Sequence, residues 1–320
     1  MKHLWIAAGA VALCCSPAAA QPQTDFSKVQ IKTTDLGAGV YLLGWGSGDS
    51  LVLTGPDGVL LVDASVAPML DNIKAAIARL SDKPIRLVVI THAHADHFGG
   101  AEALARAGAI IVSHDNVRAR METGQYLAVF NQTIPPSPPI ALPTATYAEA
   151  MTLHFDGETL ELIHAPTAHT DNDTLVFFRR ANVIHASGTF GNDRTYPFFD
   201  LSSGGSLAGT IAAEANMLSL ADDKTRIIAD EGEPSSKAAL QAEHDMLLVV
   251  RARVQKLIDA GKTEDEAVAA KPLLDLDAAW THKGGFITGD VYTRMTYQSL
   301  KGIKPPTAPK PATSTPAANP

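Results

Sequence analysis

Apolar and polar positions alternate along the chain in a pattern that occurs twice. In the first half, short apolar runs such as VYLLG (40–44) and VLLVDAS (59–65) are separated by turn residues, which predicts a block of β-strands. Segment 67–83 then has apolar residues three or four positions apart, as in a helix with one buried face. The run PIRLVVI (84–90) predicts a buried strand, and segment 98–108 predicts a short helix that ends at a glycine.

The second half repeats this order. Strands are predicted between 151 and 187, followed by a helix over 206–221, a strand over 225–230 and a long helix over 237–261. The proline-containing segment 122–150 between the halves is predicted to be irregular. A strand-rich block followed by alternating helices and strands, present twice, predicts an α/β fold. In this fold two mixed β-sheets pack face to face with helices outside, as an αββα sandwich.

Both ends of the chain are predicted to lie outside this domain, which spans 24–302. Residues 1–20 combine a basic start, a short apolar core and a small-residue exit, which is typical of a secretory signal peptide. We therefore expect a periplasmic or secreted protein. Cleavage of this segment removes both cysteines, and a chain of this size needs no disulfide. Residues 303–320 are rich in Pro, Ala and Thr, which predicts a disordered tail.

Composition and charge exclude some kinds of partner. Of the 320 residues, 46% are hydrophobic and 19% are charged, which is an ordinary globular composition. The formal charge is −8, whereas phosphate binding usually needs a basic surface, so no nucleic-acid partner is expected. Beyond the signal segment, no stretch is long and apolar enough for a membrane helix. The expected partner is a small-molecule substrate, and the oligomeric state is left open.

Residues 91–100, THAHADHFGG, bring metal-binding side chains together. His92 and His94 lie two positions apart just after a predicted strand, and in extended backbone this spacing directs both side chains the same way. Asp96 and His97 follow in a turn and suit a second metal or a base. Three nitrogen ligands with an open fourth position are typical of a catalytic zinc site. A third nitrogen is therefore expected from a distant part of the chain.

This motif matches the H-x-H-x-D-H signature, and over about residues 30–245 the chain resembles the metallo-β-lactamase fold hydrolases. The resemblance implies an αββα sandwich with the metals at one edge. It also implies that His92, His94 and His169 hold a first zinc ion, His169 lying in HAPTAHTDNDTLVFF.

The same resemblance implies roles for three more residues. Asp96 and His97 would form part of a second zinc site, and Asp96 would orient a water molecule and move its proton. Asp63, at the end of a predicted strand, would lie behind the metals and fix a ligand. Metal-bound water would become a hydroxide near neutral pH and attack a carbonyl or similar electrophile.

Two ligands expected from the resemblance are missing. Where the family commonly has a bridging aspartate after a strand, the alignment places Gly188, and where it has a later histidine, the alignment places Glu231. Glu231 is therefore a tentative ligand, because its carboxylate either binds zinc through oxygen or stays solvated. We expect one zinc ion at the intact first site, and a second only if the altered site still binds.

Three hypotheses about function remain. The leading one is an exported zinc-dependent hydrolase that acts on a small ester, lactone, amide or β-lactam-like bond through metal-activated water. The alternative is a catalytically impaired protein of the same fold that binds a ligand or partner, as the changes at Gly188 and Glu231 suggest. The third, a di-iron redox centre, is disfavoured by the missing bridging aspartate.

Other histidines and aromatic residues are interpreted mainly as structural. His114 and His185 are expected to be packed or hydrogen bonded, although His185 lies close to the altered bridging position, where a shifted metal could recruit it. Three aromatic residues are candidates for the apolar walls of a pocket, namely Tyr126, Phe130 and Tyr196. Ordinary packing of these side chains in the protein interior is expected at least as much as a place in the pocket.

Overall fold

The computed structural model describes residues 25–192, 195–282 and 285–307. The predicted signal segment 1–20 lies outside these ranges, as does the predicted tail from residue 308 onward. Within the described ranges, no helix combines the length and the apolar character needed to cross a membrane.

The first half of the chain forms a mixed seven-stranded sheet and a separate two-stranded hairpin. In chain order its strands are β1 (Lys32–Gly37), β2 (Val40–Gly44), β3 (Ser50–Gly55), β4 (Gly58–Val62), β5 (Ile85–Ile90), β6 (Ile110–His114), β7 (Gln125–Leu127), β8 (Gln132–Ile134) and β9 (Ala145–Tyr147). The sheet has the order β1-β2-β3-β4-β5-β6-β9, and β7 pairs with β8. Pairs are antiparallel from β1 to β4 and parallel from β4 to β9.

The second half forms a six-stranded sheet whose strands lie in chain order. They are β10 (Ala150–Phe155), β11 (Glu158–Ala165), β12 (Asp173–Phe178), β13 (Val183–His185), β14 (Arg226–Ile228) and β15 (Ser235–Ser236). The pair β13–β14 is parallel and the others are antiparallel.

Helices cover the outer faces of both sheets. In chain order the helices of the described residues are α1 (Leu70–Ile77), α2 (Ala95–Phe98), α3 (Ala101–Arg106), α4 (Asp115–Thr123), α5 (Leu207–Leu220), α6 (Lys237–Asp259), α7 (Glu264–Ala269), α8 (Asp277–Trp280) and α9 (Gly289–Lys301). α1 and α3 pack on the first sheet, and α5 and α6 pack on the second.

Strand β12 shows how the layers form. All six of its residues are buried. Val176 and Phe178 belong to the core between the two sheets, whereas Leu175 and Phe177 pack in the core beneath α5 and α6. Successive side chains of a strand point to opposite faces, so a continuously apolar strand is covered on both sides. The predicted αββα sandwich is confirmed.

The region before β9 is more regular than the sequence predicts. Segment 122–150 contains the hairpin β7–β8 and the strand β9, and α4 begins just before it. Among its residues α4 buries only Val117 and Met121, and the His114 side chain caps it by accepting a hydrogen bond from the Asn116 amide. A helix with so few buried positions has little apolar periodicity to reveal it.

The segments that carry the histidines are tied together across the two sheets. The Thr174 amide of β12 donates to the Thr91 carbonyl at 2.9 Å, and the Ala93 amide donates to Oδ1 of Asn172 at 2.8 Å. These hydrogen bonds hold the end of β5 against the start of β12. The first histidine motif and the distant His169 are thereby brought to one edge of the sandwich.

Candidate metal centre

His92 and His94 lie on the extended segment between β5 and α2. His94 has φ −95° and ψ 147°, which is extended backbone, and α2 begins at the next residue. The ring centroids of His92 and His94 are 4.8 Å apart, so both side chains occupy the same region. His169 enters from the loop before β12, with its ring 4.7 Å from that of His92 and 4.8 Å from that of His94.

The three rings direct nitrogen atoms toward one another. Nε2 of His169 is 3.0 Å from Nδ1 of His94, and the three residues have ligand atoms that all lie within 4.8 Å of one another. Nε2 of His92 is buried and has no hydrogen-bond partner within the described part of the chain. A buried polar atom without a partner is costly, and a cation between the rings would satisfy it. These residues therefore fit a metal ion held by three imidazoles.

The environment keeps two of these rings neutral. Burial, together with the neighbouring His97, His169 and His94, lowers the pKa of His92 well below its usual value. Burial and the neighbouring His94 lower the pKa of His169 to about 3. Neutral imidazole is the form that binds metals, so both rings are ready to act as ligands at neutral pH.

Hydrogen bonds on the outer nitrogens orient two of the rings. Nδ1 of His169 donates to the carbonyl oxygen of Phe198 at 2.7 Å, which leaves Nε2 free to bind. Nε2 of His94 lies 3.2 Å from Oδ2 of the buried Asp200. Although burial opposes its charge, hydrogen bonds from His94, Ser202 and neighbouring groups hold the pKa of Asp200 well below its usual value. Such partners fix the tautomer and direction of a metal-binding histidine.

His97 lies beside these rings and faces three carboxylates. Its Nδ1 is 2.8 Å from Oδ2 of Asp63, and its Nε2 is 3.7 Å from Oδ2 of Asp96 and 3.5 Å from Oδ2 of Asp230. Although burial opposes the charged ring, Asp230, Asp63 and Asp96 raise the pKa of His97 well above its usual value. A divalent cation bound between these groups would take the place of that proton.

Asp63 contacts both Thr91 and His97 at the end of β4. It is fully buried, with φ +63°, and accepts hydrogen bonds from the amide and the hydroxyl of Thr91, each at 2.8 Å. The same carboxylate holds Nδ1 of His97, so Nε2 of that ring faces Asp96 and Asp230.

Glu231, the tentative ligand, is not brought to the metal centre, whereas its neighbour Asp230 is. The second group of candidate ligands within the described residues is His92, His97 and Asp230, whose ligand atoms lie within 4.8 Å of one another. Glu231 belongs to neither group and lines the cavity in front of them. Asp230 and Glu231 lie in the bend that follows β14, and of the two side chains that of Asp230 faces His97.

Asp200 and Asp230 are the two site residues that the sequence interpretation does not identify. Asp230 is the last residue of the predicted strand TRIIAD. Asp63 likewise lies at the end of a predicted strand, so an aspartate at a strand end is the sequence signal that both residues share. Asp200 precedes Ser-Ser-Gly-Gly, and its Oδ1 accepts a hydrogen bond from the Ser202 amide at 2.8 Å, as in an Asx turn. The turn could be predicted from this pattern, but the contact with His94 could not.

Comparison with known proteins agrees with this architecture. Residues 43–213, more than half of the chain, match the family model described as the metallo-beta-lactamase superfamily. The chain belongs to this superfamily.

Solved structures of other proteins share the fold. The stereoselective inverting sec-alkylsulfatase Pisa1 from Pseudomonas sp. has a TM-score of 0.68 and 18% identity, over 85% of this chain and 50% of that chain. The chain thus spans about half the length of that enzyme. A metallo-beta-lactamase from Pontibacter korlensis has a TM-score of 0.55 and 18% identity, over 68% of this chain and 99% of that chain. One from Hirschia baltica has a TM-score of 0.51 and 19% identity, over 68% and 98%.

In this superfamily member the metal centre opens into a cavity of about 710 Å³. Its described apolar walls include Leu127, Phe130, Ile134, Phe190, Phe198, Phe286 and Ile287. Of the three aromatic residues proposed from the sequence, Phe130 lines the cavity. Tyr196 is instead fully buried and stacks on Tyr292 with centroids 4.6 Å apart, and the Tyr126 hydroxyl donates to Asn131.

The remaining histidines considered above are packed. His114 stacks on His164 with ring centroids 3.7 Å apart, and its Nε2 donates to the Ala148 carbonyl at 2.8 Å. His185 is fully buried, and its Nδ1 accepts a hydrogen bond from the Ser187 amide at 3.2 Å. Within the described chain, none of these rings belongs to a group of candidate metal ligands.

Proposed function

We propose that this protein is a zinc-dependent hydrolase that cleaves a small ester, lactone, amide or β-lactam-like bond. The observation that carries the proposal is the convergence of His92, His94 and His169 at the wall of an open cavity. Three nitrogen ligands with room for a fourth are the pattern of catalytic zinc sites. When bound there, zinc would lower the pKa of a water molecule to about 7 and polarise the substrate carbonyl.

Asp96 is well placed to move the proton of the attacking water. Its side chain is 40% exposed and lines the cavity beside the rings, so it reaches both solvent and substrate. Hydrolysis joins the water oxygen to the carbonyl carbon and breaks the bond from that carbon to the leaving oxygen or nitrogen. Asp96 would accept the proton of the water and deliver it to the leaving atom.

The surrounding groups hold the rings in one arrangement. Asp200 contacts the outer nitrogen of His94, and the Phe198 carbonyl contacts that of His169. These contacts prevent the rings from turning away, and catalysis benefits from ligands that are positioned before the substrate arrives.

Zinc content and turnover, measured on the same preparation, test this proposal. We expect at least one zinc ion per chain and hydrolysis within a panel of lactams, lactones and aryl esters. His94→Ala should lose zinc and turnover, because it removes one of three ligands. His154→Ala, at an exposed histidine outside the site, is the matched control and should keep both. Folded protein with neither zinc nor turnover would favour the alternative, a protein that binds a ligand or partner without catalysis.

We further propose that the protein is exported to the periplasm or secreted. The support is the signal-like sequence of residues 1–20, which ends in small residues. Mass spectrometry of the protein purified from its own cells should find an N-terminus at residue 21, whereas an intact N-terminus in the cytosolic fraction would contradict export.

A further inference from the structure

Asp230 is fixed at the edge of the sheet that carries the metal centre. It follows β14, whereas Gly188 follows β13, and these strands are parallel neighbours, so both residues lie at the same edge. The Asp230 carbonyl accepts a hydrogen bond from the Asp49 amide at 2.7 Å. Asp49 in turn accepts one from the Gly232 amide at 3.1 Å. The backbone on both sides of the Asp230 side chain is therefore held in place.

The absence of a side chain at Gly188 makes room for the Asp230 carboxylate. Gly188 has φ +70°, and a Cβ built on it would lie 2.7 Å from Oδ2 of Asp230 and 2.7 Å from Cδ2 of His169. Contacts this short require one of the groups to move. An aspartate at position 188 and Asp230 in its present place therefore exclude each other. The carboxylate comes from β14 where the resemblance leads us to expect one from β13.

The Asp230 carboxylate belongs to the second group of candidate ligands, which shares His92 with the first. Its Oδ2 is 3.5 Å from Nε2 of His97, and it shares one group with His92, which also belongs to the three-imidazole group. Oδ1 of Asp230 and Nε2 of His92 are both buried without a hydrogen-bond partner in the described chain. An ion held by the three imidazoles would satisfy Nε2 of His92, so Oδ1 of Asp230 is the atom that points to a second cation.

We propose that Asp230 is a metal ligand that restores a second zinc site, in place of the ligands absent at Gly188 and Glu231. The second site then consists of His97, Asp96 and Asp230. Two carboxylates balance the charge of one divalent cation, and zinc accepts oxygen as well as nitrogen ligands. The proposal rests on the metal-dependent function above, but it makes a separate claim about the number of ions.

The number of zinc ions bound by the full chain tests this assignment. Protein stripped with EDTA is titrated with zinc by equilibrium dialysis followed by elemental analysis. We expect two ions per chain in the wild type and one in Asp230→Asn, because the three imidazoles remain. Glu231→Gln neutralises the adjacent carboxylate and is the matched control, with two ions expected. Thermal unfolding of the three proteins in EDTA verifies that each one folds.

The outcomes separate this proposal from the proposed hydrolase. A single ion in the wild type, or two ions in Asp230→Asn, would overturn the role of Asp230. Loss of an ion in Glu231→Gln but not in Asp230→Asn would overturn it in favour of Glu231. Absence of zinc from every variant would refute the zinc-dependent function as well. Turnover without a second ion would leave the hydrolase standing and remove only the second site.

A second observation, independent of the metal ligands, concerns three phenylalanines that we call the phenylalanine clasp. Phe130, Phe198 and Phe286 come from three separate segments and all line the cavity. The centroid of Phe130 is 6.0 Å from that of Phe198, and Phe286 is 5.7 Å from both. Phe130 is 51% exposed and Phe286 is 53% exposed. Clustered exposed aromatic rings in a cavity are typical of ligand-binding walls.

The clasp lies next to the metal centre. The Phe198 ring is 5.5 Å from the ring of His169, and the Phe198 carbonyl accepts the hydrogen bond from Nδ1 of the same histidine. We infer that the clasp binds the apolar acyl or alkyl group of a substrate whose scissile bond lies beside His169. This rests on the proposed function and narrows its substrate class to compounds with an apolar group of several carbons.

Binding of straight-chain amides from butanamide to octanamide tests the clasp without requiring turnover. Calorimetry of the zinc-loaded wild type should show Kd falling up to about fourfold per added methylene, the gain expected for burying one. Phe130→Ala combined with Phe286→Ala should flatten this dependence. Leu274→Ala, at an apolar residue that is 67% exposed and outside the cavity, should leave it unchanged. No chain-length dependence in the wild type, or the same slope in the double variant, would overturn the inference whether or not the protein is a hydrolase.

Discussion

Asp200→Asn keeps the size and shape of the side chain that contacts His94 but replaces one of its two oxygens with an NH₂ group. It therefore tests how that contact affects the binding of metal by His94. Asp200 uses Oδ1 to accept from the Ser202 amide at 2.8 Å and Oδ2 to contact Nε2 of His94 at 3.2 Å. An asparagine keeps the turn if its single oxygen stays on Ser202. Its NH₂ group then points at His94 and requires Nε2 to be the acceptor. The proton of the ring moves to Nδ1, the nitrogen that faces His169 at 3.0 Å.

The size of the effect follows from this change of tautomer. A ring with its proton on Nδ1 must first turn or change tautomer before that nitrogen binds zinc. Removal of an outer partner of this kind typically costs about 10- to 100-fold in metal affinity. That loss corresponds to ~1.4 to ~2.7 kcal/mol of binding free energy. The other two imidazoles are untouched, so we expect weaker binding at the first site rather than its loss.

Competition with a chromophoric zinc chelator measures this affinity, and nitrogen-15 NMR of the His94 ring reports its tautomer. Asp171→Asn is the matched control, because Asp171 is on the His169 loop but forms an ion pair with Arg120 at 2.6 Å. It should lose thermal stability while keeping zinc affinity. The reasoning is wrong if folded Asp200→Asn binds zinc within threefold of the wild type, or if Asp171→Asn weakens binding equally.

Two further predictions concern buried carboxylates. Burial and the adjacent Glu243 raise the pKa of Glu214 well above its usual value of 4.5. The unfolded chain therefore releases this proton at a lower pH than the folded protein does. As a result, the wild type loses ~1.4 kcal/mol of stability per pH unit as the pH rises from about 4.5 to the raised pKa. Thermal unfolding of Glu214→Gln should therefore show a gain over the wild type that grows as the pH rises above about 4.5, and a constant difference would contradict this sign. Asp63→Asn places an NH₂ group against one of the donors from Thr91 and His97, and denaturant titration should show ~1–3 kcal/mol less stability. Equal stability would mean that these donors do not all depend on the carboxylate.

The sandwich could be predicted because its strands are apolar at positions that are covered on both faces. In β12 the side chains of Val176 and Phe178 enter one core and those of Leu175 and Phe177 enter another, so the run DTLVFF marks a central strand. α4 could not be predicted in the same way, because the structure buries little of it. The apolar pattern of the sequence therefore predicts the buried strands of the sandwich. It does not predict a polar helix such as α4, which buries few side chains.

Some residues of the candidate metal centre can likewise be predicted from the local sequence, and others cannot. His92 and His94 are two residues apart on one extended segment, so their convergence follows from local geometry. The contact between Asp200 and His94 joins residues 106 positions apart, and no periodicity encodes it. The choice between Glu231 and Asp230 depends on a register of one residue, and a shift of one residue exchanges the two faces of an extended chain. The sequence therefore predicts the loop, whereas the side chain of this loop that faces His97 is decided by the fold.

Gly188 and Asp230 form a coupled pair, and exchanging them gives a decisive test. Neighbouring strands lie about 4.8 Å apart, so a carboxylate at the end of either β13 or β14 can reach the same volume. Gly188→Asp alone crowds Asp230, and Asp230→Gly alone removes the carboxylate, so we expect each to bind one zinc ion. The double variant Gly188→Asp with Asp230→Gly should regain the second ion, because aspartate tolerates the positive φ of position 188 better than most residues. Its Cβ still lies 2.7 Å from Cδ2 of His169, so the ion at the three imidazoles should bind more weakly than in the wild type. Equilibrium dialysis measures all three. If the two single losses add in the double variant instead of cancelling, the two positions do not serve the same site.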